Sequence, residues 1–584
     1  MTQTVFSHVT YPISLLIQQI DLGIIGLPEI QRPFVWPNSK VRELFDSMYR
    51  GFPVGYLLFW TNGLADGHKQ IGVGTKQTVP SLLVVDGQQR LTSLYTVIKG
   101  APVVREDFRE ERIVIAFRPK DGAFEVTDAA IRKDPEFIPD ISPLLSGQIP
   151  QFQFIKQFLA NLKAHRPVDD DEESRLSSAI IRLHDLLGYP FTALQLSEAV
   201  DEEEVAEVFV RINSKGTPLN QADFILTLMS VFWDEGRKEL ESFCRSAKTP
   251  AASGASPFNH FIRPSPDQML LVSVALGFRR ARLRHVYSIL RGKDLESGRL
   301  SEERRVAQFQ ILKSAQEYAL NLQNWKDFLQ VLTVAGYRSG DMITSQVGLM
   351  YCYALFLIGR RDYQVDHSTL RNVMARWYFM TALTSRYTNS PESVMEQDLA
   401  RLREVKDASA FVALLDRIIG SVFTQDYWSI TLPFQMATSA VRTPPLFAYY
   451  AALNILGAKA LFSKMHVADL LDPAAQATKS AVERHHLFPK GYLAKLGIAE
   501  VREVNQIANF ALVEWRDNVG ISDTPPSEYF PKLTADLDPQ ELARMRYWHA
   551  LPEGWETMDY PTFLEARRKA MASVIRDGFE RLVG

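Results

Sequence analysis

The sequence predicts a multidomain α+β protein with a mixed N-terminal region, a helical middle and a smaller C-terminal α+β region. The chain has 584 residues, whereas one hydrophobic core seldom extends beyond about 250–300 residues. Strand-like and helix-like segments alternate in the first part, helical periodicity dominates the second, and a His-His motif lies between helices in the third. We therefore place the domains at residues 1–235, 236–440 and 441–584.

Two apolar runs of the N-terminal region predict buried strands, one at residues 53–60 and the other at residues 113–117. The acidic run at residues 169–173 follows Pro167 and predicts a solvated turn. The first region is therefore expected to combine a sheet with helices.

The rest of the chain has apolar residues at helical spacing, which predicts helices rather than strands. In the middle region this spacing is clearest at residues 268–278 and 344–358. An apolar helix is predicted at residues 446–461 and a closing helix at residues 560–582, one on each side of the His-His motif.

The composition is that of a soluble globular protein, with 46 % apolar and 23 % charged residues. The formal net charge of −3 excludes a basic nucleic-acid coat, so contacts with DNA would use local patches. Cys244 and Cys352 form no CxxC pair, which argues against a zinc knuckle and a disulfide scaffold. No signal peptide and no run of roughly 18 apolar residues is found, so we expect a cytoplasmic protein with no membrane partner.

The most informative motif is a His-His pair, His485 and His486, followed by Pro489 and then by Asn509 and Asn518. This order and spacing is typical of an HNH (ββα-metal) nuclease site. We assign His485 as the first metal ligand, His486 as the general base, Asn509 as a brace before a strand at residues 510–513, and Asn518 as the second metal ligand.

An imidazole near its usual pKa of about 6.5 can take a proton from water at neutral pH. The expected cofactor is a divalent metal, Mg²⁺ or Mn²⁺. The alternative is a histidine pair at the start of a helix, accompanied by structural asparagines.

A second motif joins a short buried strand at residues 82–85 to the start of a helix. The motif consists of Asp86, Gly87, Gln88, Gln89 and Arg90. A helix N-terminus with an arginine beside it suits a phosphate, which predicts a nucleotide-binding loop. The alternative is a structural turn in which Asp86 caps the helix.

Two further segments of the N-terminal region suit an anionic ligand. Gln31 and Arg32 lie with Trp36 on a segment that prolines keep extended, where an arginine and an aromatic ring can contact a base or a phosphate. Arg211 and Asn213 are predicted on the same face of a strand or turn. Three such segments in one region favour a binding site.

A basic run in the middle region has four arginines within residues 279–284, beginning with Arg279 and Arg280. Such a run can contact the phosphate backbone of DNA. The alternative is a charged helix face that meets solvent or an acidic neighbour.

Residues 31–36, 86–90 and 209–216, in this order, resemble the N-terminal domain of the GmrSD family of modification-dependent (type IV) restriction endonucleases. The His-His region resembles their HNH domain. Arg386-Tyr387, with Ser390 and Glu392, is similar to their helical segment, so the resemblance spans most of the chain. It implies a ParB/sulfiredoxin-like α+β fold that binds or hydrolyses a nucleoside triphosphate, often GTP, and senses modified DNA.

The resemblance also implies roles for individual residues. Asp86, Gln89 and Arg90 would lie at the nucleotide phosphates and metal, with Arg211 and Asn213 nearby. The residues that would face nucleotide or DNA are Gln31, Arg32 and Trp36. Many relatives carry a carboxylate where this chain has His485, and this departure bears on metal preference because imidazole accepts Mn, Ni or Zn more readily.

Together these features predict a nucleotide-dependent anti-phage endonuclease that senses modified DNA through its N-terminal domain and cleaves or nicks DNA at the HNH site. Its partners would be DNA and a nucleoside triphosphate, and a homo-oligomer is left open. Two alternatives remain, a non-cleaving DNA-binding protein switched by nucleotide and an unregulated HNH nuclease or toxin.

Overall fold

The computed structural model describes residues 5–26, 34–61, 80–105, 109–200, 221–293, 301–473, 482–514 and 521–584. The chain divides into two compact units, residues 1–237 and residues 238–584. The boundary expected between residues 235 and 236 lies beside this division, and the one expected between residues 440 and 441 lies within the second unit. The three-domain division stays a prediction.

The described residues of the first unit form a five-stranded mixed sheet and two separate two-stranded sheets. The strands are β1 (Phe6–Pro12), β2 (Ile25–Gly26), β3 (Leu57–Thr61), β4 (Leu82–Asp86), β5 (Pro102–Val104), β6 (Glu110–Arg112), β7 (Ile115–Arg118), β8 (Ala123–Val126) and β9 (Pro190–Leu196). The five-stranded sheet has the order β1-β9-β3-β4-β2, and the two-stranded sheets are β5–β6 and β7–β8. The pairs β1–β9 and β3–β4 are antiparallel, and β9–β3 and β4–β2 are parallel.

The first unit has seven described α-helices, and apolar residues of the first six share a buried cluster with the sheet. The helices are α1 (Ile13–Asp21), α2 (Asn38–Tyr49), α3 (Gln88–Lys99), α4 (Ser142–Leu145), α5 (Gln151–His165), α6 (Asp170–His184) and α7 (Gln221–Phe232). Leu16, Phe45 and Leu94, from three of the helices, join Phe59 and Val84 of the sheet in one buried cluster. The mixed α+β character expected of this region is confirmed.

The strand expected at residues 53–60 begins later, at Leu57. Pro53 cannot donate to a strand ladder, and Gly55 has a φ of 89°. The strand expected at residues 113–117 is found as β7, which begins at Ile115.

The turn expected at residues 169–173 is wrong, because these residues begin α6. The Asp169 side chain accepts a hydrogen bond from the Glu172 backbone N–H (2.7 Å), and four acidic residues occupy the first turn. Carboxylates are favourable there because they cap the orphan N–H groups and oppose the positive end of the helix dipole.

The second unit is mainly helical. Its helices are α8 (Asp234–Ser246, which begins before the division), α9 (Pro266–Phe278), α10 (Leu283–Leu290), α11 (Glu302–Ala319), α12 (Leu322–Val334), α13 (Gln346–Arg361), α14 (His367–Thr384), α15 (Pro391–Arg401), α16 (Ala408–Val422), α17 (Leu432–Gln435), α18 (Pro444–Ile455), α19 (Val467–Leu470), α20 (Lys490–Lys495), α21 (Val501–Val504), α22 (Pro526–Thr534), α23 (Pro539–Trp548) and α24 (Tyr560–Val583). Residues 238–293 and 301–440 hold no strand element.

Four helices of the second unit were expected from periodicity. α9, α13 and α24 lie where residues 268–278, 344–358 and 560–582 predicted them. α18 ends at Ile455, earlier than the expected residue 461.

Among the described residues no single helix is long and apolar enough to cross a membrane. One pair of consecutive helices, Ala408–Val422 and Tyr427–Gln435, reaches that length and composition only when the two are taken together, and the pair is bent by 50°.

Two elements of the second unit position its C-terminal part. The long helix α24 packs against α18, where a Cβ on Gly578 would lie 2.5 Å from the Cβ of Ala452, so this close approach requires glycine. A two-stranded antiparallel sheet, β10 (Val482–His486) and β11 (Phe510–Glu514), lies among the helices and pairs His485 with Ala511 and His486 with Phe510.

Candidate active site

The His-His pair occupies the last two positions of β10, so its two side chains leave opposite faces of the strand. His485 is only 4 % exposed and lies edge-on to Tyr529, with ring centroids 5.9 Å apart. His486 is half-buried and lies edge-on to Phe510 at 4.7 Å. The two histidines therefore have different surroundings, as two different roles require.

Among the described residues, the His486 ring has one hydrogen-bond partner. Its Nε2 lies 2.9 Å from Oδ1 of Asn505. Burial lowers the pKa of His486, the hydrogen bond with Asn505 opposes this shift, and the nearby cation of Lys490 adds to it. A lowered pKa keeps the imidazole neutral at neutral pH, which is the form that accepts a proton.

Asn509 is fully buried, and its side chain bonds to main-chain atoms and to the Tyr560 hydroxyl. Its Oδ1 accepts from the Phe488 backbone N–H (2.8 Å), and its Nδ2 donates to the carbonyls of Phe488 and Val504 (both 3.1 Å). Its own carbonyl accepts from the Leu487 N–H (2.8 Å). The carboxamide thus joins the end of β10 to the turn before β11, which is the geometry of a brace.

Arg567 of α24 was missed by sequence reasoning. It is fully buried, and its guanidinium donates to the carbonyls of Ala508 (2.6 Å), Phe510 (2.8 Å) and His549 (3.2 Å). Burial lowers its pKa. A buried cation is tolerated where hydrogen bonds replace its hydration, and the carbonyls of Ala508 and Phe510 flank Asn509. The signal in the sequence was an arginine in register with Phe563 and Met571 on the apolar face of the helix.

His549 was also missed and lies beneath the same turn. It is buried, and its Nε2 lies 3.0 Å from the Lys459 carbonyl oxygen. A carbonyl only accepts, so Nε2 carries the proton. Burial lowers the pKa of His549 to about 4, and the ring is therefore neutral at neutral pH.

Two tyrosines support the main chain around the pair. The Tyr529 hydroxyl donates to the Leu487 carbonyl (2.7 Å), and the Tyr560 hydroxyl donates to the carbonyls of Glu503 (2.9 Å) and Val504 (3.2 Å). Burial raises the pKa of both hydroxyls, so they remain donors at neutral pH.

Of the two metal ligands expected from the sequence, the structure describes His485 only. Asn518 lies outside the described residues. Among the residues that are described, no group of three His, Cys, Asp or Glu side chains could hold a metal ion. The two ligands assigned from the sequence are the imidazole of His485 and the side-chain amide of Asn518. First-row divalent metals accept this combination of donors.

The second candidate site lies in the first unit, where β4 ends and α3 begins. Gly87 is the N-cap of α3, with a φ of 90° and no side-chain cap. The alternative in which Asp86 caps the helix is therefore wrong. A Cβ on Gly87 would overlap Cδ2 of Leu57, so both the conformation and the space require glycine.

Arg90 links this turn to the loop before β3. Its Nη1 donates to the Val54 carbonyl (2.8 Å), and its Nη2 donates to Oδ2 of Asp86 (3.3 Å). A Cβ on Gly55 would overlap Nη1. Burial lowers the pKa of Arg90, and the Asp86 carboxylate opposes the shift. Arg90 thus already holds two main-chain segments together.

The two glutamines of the motif contact different neighbours. Gln88 donates through Nε2 to the carbonyl of Val84 (3.0 Å), a residue of the preceding strand β4. Oε1 of Gln89 accepts from the Trp36 backbone N–H (3.2 Å). The ammonium of Lys40 lies 4.4 Å from the centre of the Trp36 ring. The structure therefore brings Trp36 to the motif.

Arg105 is a further residue that sequence reasoning missed. It donates through Nη1 to the carbonyls of Trp36 (2.6 Å) and Phe34 (3.4 Å), and through Nε to Glu111 (2.9 Å). Its Nη2 donates to Oδ1 of Asn38. These contacts hold the Trp36 segment in place. The remaining residues assigned to this site, Gln31, Arg32, Arg211 and Asn213, lie outside the described residues.

The basic run of the second unit is paired with carboxylates. Arg279 forms an ion pair with Asp362, and burial lowers its pKa to about 10. Arg280 donates to Oε1 of Glu396 (2.5 Å), and Oε2 of the same carboxylate accepts from the Ala281 N–H (2.7 Å). These contacts favour the alternative of a basic run that meets an acidic neighbour.

Arg386 and Tyr387 form a buried polar cluster rather than an exposed site. Arg386 donates to both oxygens of Asp398 (2.7 and 3.1 Å), and the Tyr387 hydroxyl donates to the same carboxylate (2.8 Å). Asp398 is buried, so the three residues satisfy one another inside the helical bundle.

Residues 13–230 match the family model described as the N-terminal domain of the GmrSD restriction endonuclease. The match contains the Asp86–Arg90 motif, and its description as part of a restriction endonuclease suggests a nuclease that acts on DNA in defence. The second unit, with the His-His pair, lies wholly outside the match.

A full-length relative is similar along most of the chain. The uncharacterized protein MJ0686 of Methanocaldococcus jannaschii is 23 % identical over 562 residues, which cover 90 % of this chain and 87 % of that protein. The likeness therefore extends through both units.

Proposed function

We propose that the protein is a metal-dependent endonuclease that cleaves DNA at His486 and is controlled by a nucleotide-binding sensor in its first unit. The observation that carries the proposal is the setting of His486: a half-buried imidazole, bonded to Asn505 and placed by an antiparallel strand pair that Asn509 braces. The family match to a restriction endonuclease supports DNA as the substrate.

The chemistry is phosphodiester hydrolysis. His486 takes a proton from water, the water oxygen forms a bond to phosphorus, and the bond from phosphorus to the leaving sugar oxygen breaks. A divalent metal, held by His485 and Asn518, would supply positive charge to the phosphate oxygens and the leaving group. Asn509 and Arg567 keep the turn around the imidazole in place.

The sensor function is proposed for the turn between β4 and α3. The first observation that supports a nucleotide site is that the N-cap of α3 is Gly87, which has no side chain to cap the helix. The N–H groups at the start of α3 can therefore bind a phosphate. The second observation is the hydrogen bond from Trp36 to Gln89, through which a ligand at the turn can act on the segment proposed to contact modified DNA. The nucleotide proposed is GTP.

The sensor is tested by nucleotide binding and hydrolysis. Asp86→Ala and Arg90→Ala should each weaken GTP binding or hydrolysis, because the turn loses its ion pair and its link to Val54. Lys99→Ala, which removes a surface ion pair with Asp21 at the other end of α3, is the matched control. Normal hydrolysis by both test variants would make the turn structural.

The whole proposal is tested by cleavage of a panel of DNAs, namely unmodified, hydroxymethylated, glucosylated and phosphorothioated, with and without GTP and with Mg²⁺ or Mn²⁺. We expect metal-dependent cleavage that GTP stimulates on at least one modified DNA. Binding of DNA without any cleavage would support the non-cleaving switch. Equal cleavage of all DNAs, with or without GTP, would support the unregulated nuclease.

A further inference from the structure

The ring of His486 is oriented by two neighbours on different elements. Phe510 of β11 packs edge-on against it, with ring centroids 4.7 Å apart and an interplanar angle of 65°. Asn505, which follows α21, lies 2.9 Å from Nε2 through its Oδ1. One contact fixes the plane of the ring and the other fixes which nitrogen faces the protein.

Asn505 itself lies on a well-supported turn. Its backbone N–H donates to the Val501 carbonyl (3.0 Å), which ends α21. The carbonyl of the preceding residue, Val504, accepts from both Asn509 and Tyr560. The main chain that carries the Asn505 carboxamide is therefore held from three directions.

The hydrogen bond has a chemical consequence for the imidazole. An amide oxygen only accepts, so the ring nitrogen that faces it carries the proton. The neutral ring then has its lone pair on Nδ1, and Nδ1 is the atom that can accept a proton from water. A ring without this partner would divide between two tautomers, of which only one has its lone pair on the correct side.

We propose that Asn505 is the positioning residue of His486, holding the imidazole as the Nε2–H tautomer so that Nδ1 faces the reacting water. The role rests on the proposed nuclease function and is distinct from that of Asn509. Among the described residues, the Asn509 side chain bonds to main-chain atoms of Phe488 and Val504 and to the Tyr560 hydroxyl. It therefore fixes the backbone, whereas Asn505 fixes the ring.

The test compares two substitutions of Asn505. Asn505→Leu keeps the approximate size and removes the acceptor, and Asn505→Asp keeps an acceptor. Gln506→Ala is the matched control, because Gln506 donates to the Arg502 carbonyl (2.7 Å) in the same turn and makes no hydrogen bond to His486 in the described residues. Thermal unfolding of each full-length variant checks its fold, and Asn505→Ala replaces the leucine variant if that one fails to fold.

The first readout is independent of cleavage. In protein labelled with ¹⁵N-histidine, the ring nitrogens of His486 are assigned from the signals missing in His486→Ala, and they report the tautomer of the neutral ring. We expect Nε2–H in the wild type, in Asn505→Asp and in Gln506→Ala, and a mixture of tautomers in Asn505→Leu. An unchanged tautomer in Asn505→Leu would overturn the proposal.

The second readout is the rate of DNA cleavage. Loss of the partner that orients a metal-bound histidine typically costs ~10–100-fold, and we expect a fall of the same order in kcat for Asn505→Leu. KM should be unchanged, and Asn505→Asp should stay close to the wild type. A rise in KM alone, or an equal loss in Gln506→Ala, would contradict a positioning role. Wild-type cleavage by His486→Ala would overturn the proposed nuclease chemistry, whereas the tautomer result would still decide whether Asn505 orients the ring.

Discussion

The guanidinium of Arg567 bonds to the carbonyl oxygens on both sides of Asn509. It donates to Ala508 at 2.6 Å and to Phe510 at 2.8 Å, and these two hydrogen bonds connect residues more than 50 positions apart in sequence. The side chain of Asn509 points away to Phe488 and Val504. The turn beside His486 is therefore fixed by a side chain of the C-terminal helix as well as by its own asparagine.

Arg567→Met should destabilise the second unit. It leaves the carbonyls of Ala508, Phe510 and His549 without this donor, and an unsatisfied buried group costs about 1–3 kcal/mol. We expect a fall of at least that size in the free energy of unfolding, measured by denaturant titration. Lys569→Met, on the exposed face of the same helix, should change it by less than about 1 kcal/mol. Equal effects of the two substitutions would contradict the role given to Arg567.

The stability of the second unit should depend on pH through His549. Burial lowers its pKa to about 4 in the folded protein, against about 6.5 in the unfolded chain. Between these values the unfolded state binds more protons, so the stabilisation is complete above pH ~6.5 and is lost as the pH falls towards ~4. The full loss would be on the order of 3 kcal/mol.

Substitution of the histidine tests this pH dependence. His549→Gln keeps a donor for the Lys459 carbonyl and cannot titrate, so the free energy of unfolding should decline less between pH ~6.5 and ~4 than in the wild type. His466→Gln, at an exposed position of the same unit, should leave the decline unchanged. The same decline in His549→Gln and wild type would show that another group causes it.

Gly87→Ala should harm both the fold and the proposed nucleotide site of the first unit. A positive φ costs a non-glycine residue roughly 1–2 kcal/mol, and the added Cβ would also overlap Leu57. Gly147 has a φ of 74° with no atom within 4 Å of a built Cβ. Gly147→Ala therefore measures the backbone strain alone. We expect the larger loss of stability, by thermal unfolding, and the loss of GTP binding only in Gly87→Ala.

Trp36→Ala should remove the preference for modified DNA before it removes cleavage. Trp36 lies between the Asp86–Arg90 motif and Arg105, whereas the proposed catalytic residues lie in the second unit. A ligand changes activity ~100-fold only if the two states differ in their affinity for it by a few kcal/mol. The ratio of cleavage rates on modified and plain DNA should therefore fall towards one.

The matched control for this prediction is Phe152→Ala, an exposed aromatic residue of α5 in the same unit. It should keep the wild-type ratio. A Trp36→Ala protein that keeps its full preference for modified DNA would exclude Trp36 from the proposed sensing.

Local sequence signals predicted many individual elements. The apolar spacing of α24 and the strand–turn–helix at residues 82–90 are both found, because local propensity and burial favour the same structure there. The acidic run at residues 169–173 was expected to be a turn because of its charge and its position after Pro167. The capping contact of Asp169 with Glu172 is what makes the run the start of a helix.

The candidate sites were predictable in part. The His485–His486 pair and Asn509 belong to one motif whose order and spacing are recognisable, although the brace joins Asn509 to Phe488, 21 positions away. Asn505 and Arg567 belong to no motif found in the sequence, and their importance depends on contacts with residues 19 and 57–59 positions away. Only the fold brings these side chains together.

The most direct test of the central claim is the single-turnover cleavage rate of His486→Ala, loaded with Mg²⁺ or Mn²⁺ and supplied with GTP and the best-cleaved DNA. Removal of a general base typically lowers the rate ~10²–10⁴-fold. We expect a loss of that size with the fold and the binding of DNA retained, and no loss in the exposed-site control His466→Ala. A wild-type rate in a folded, metal-loaded His486→Ala sample would contradict the assignment of His486 as the general base.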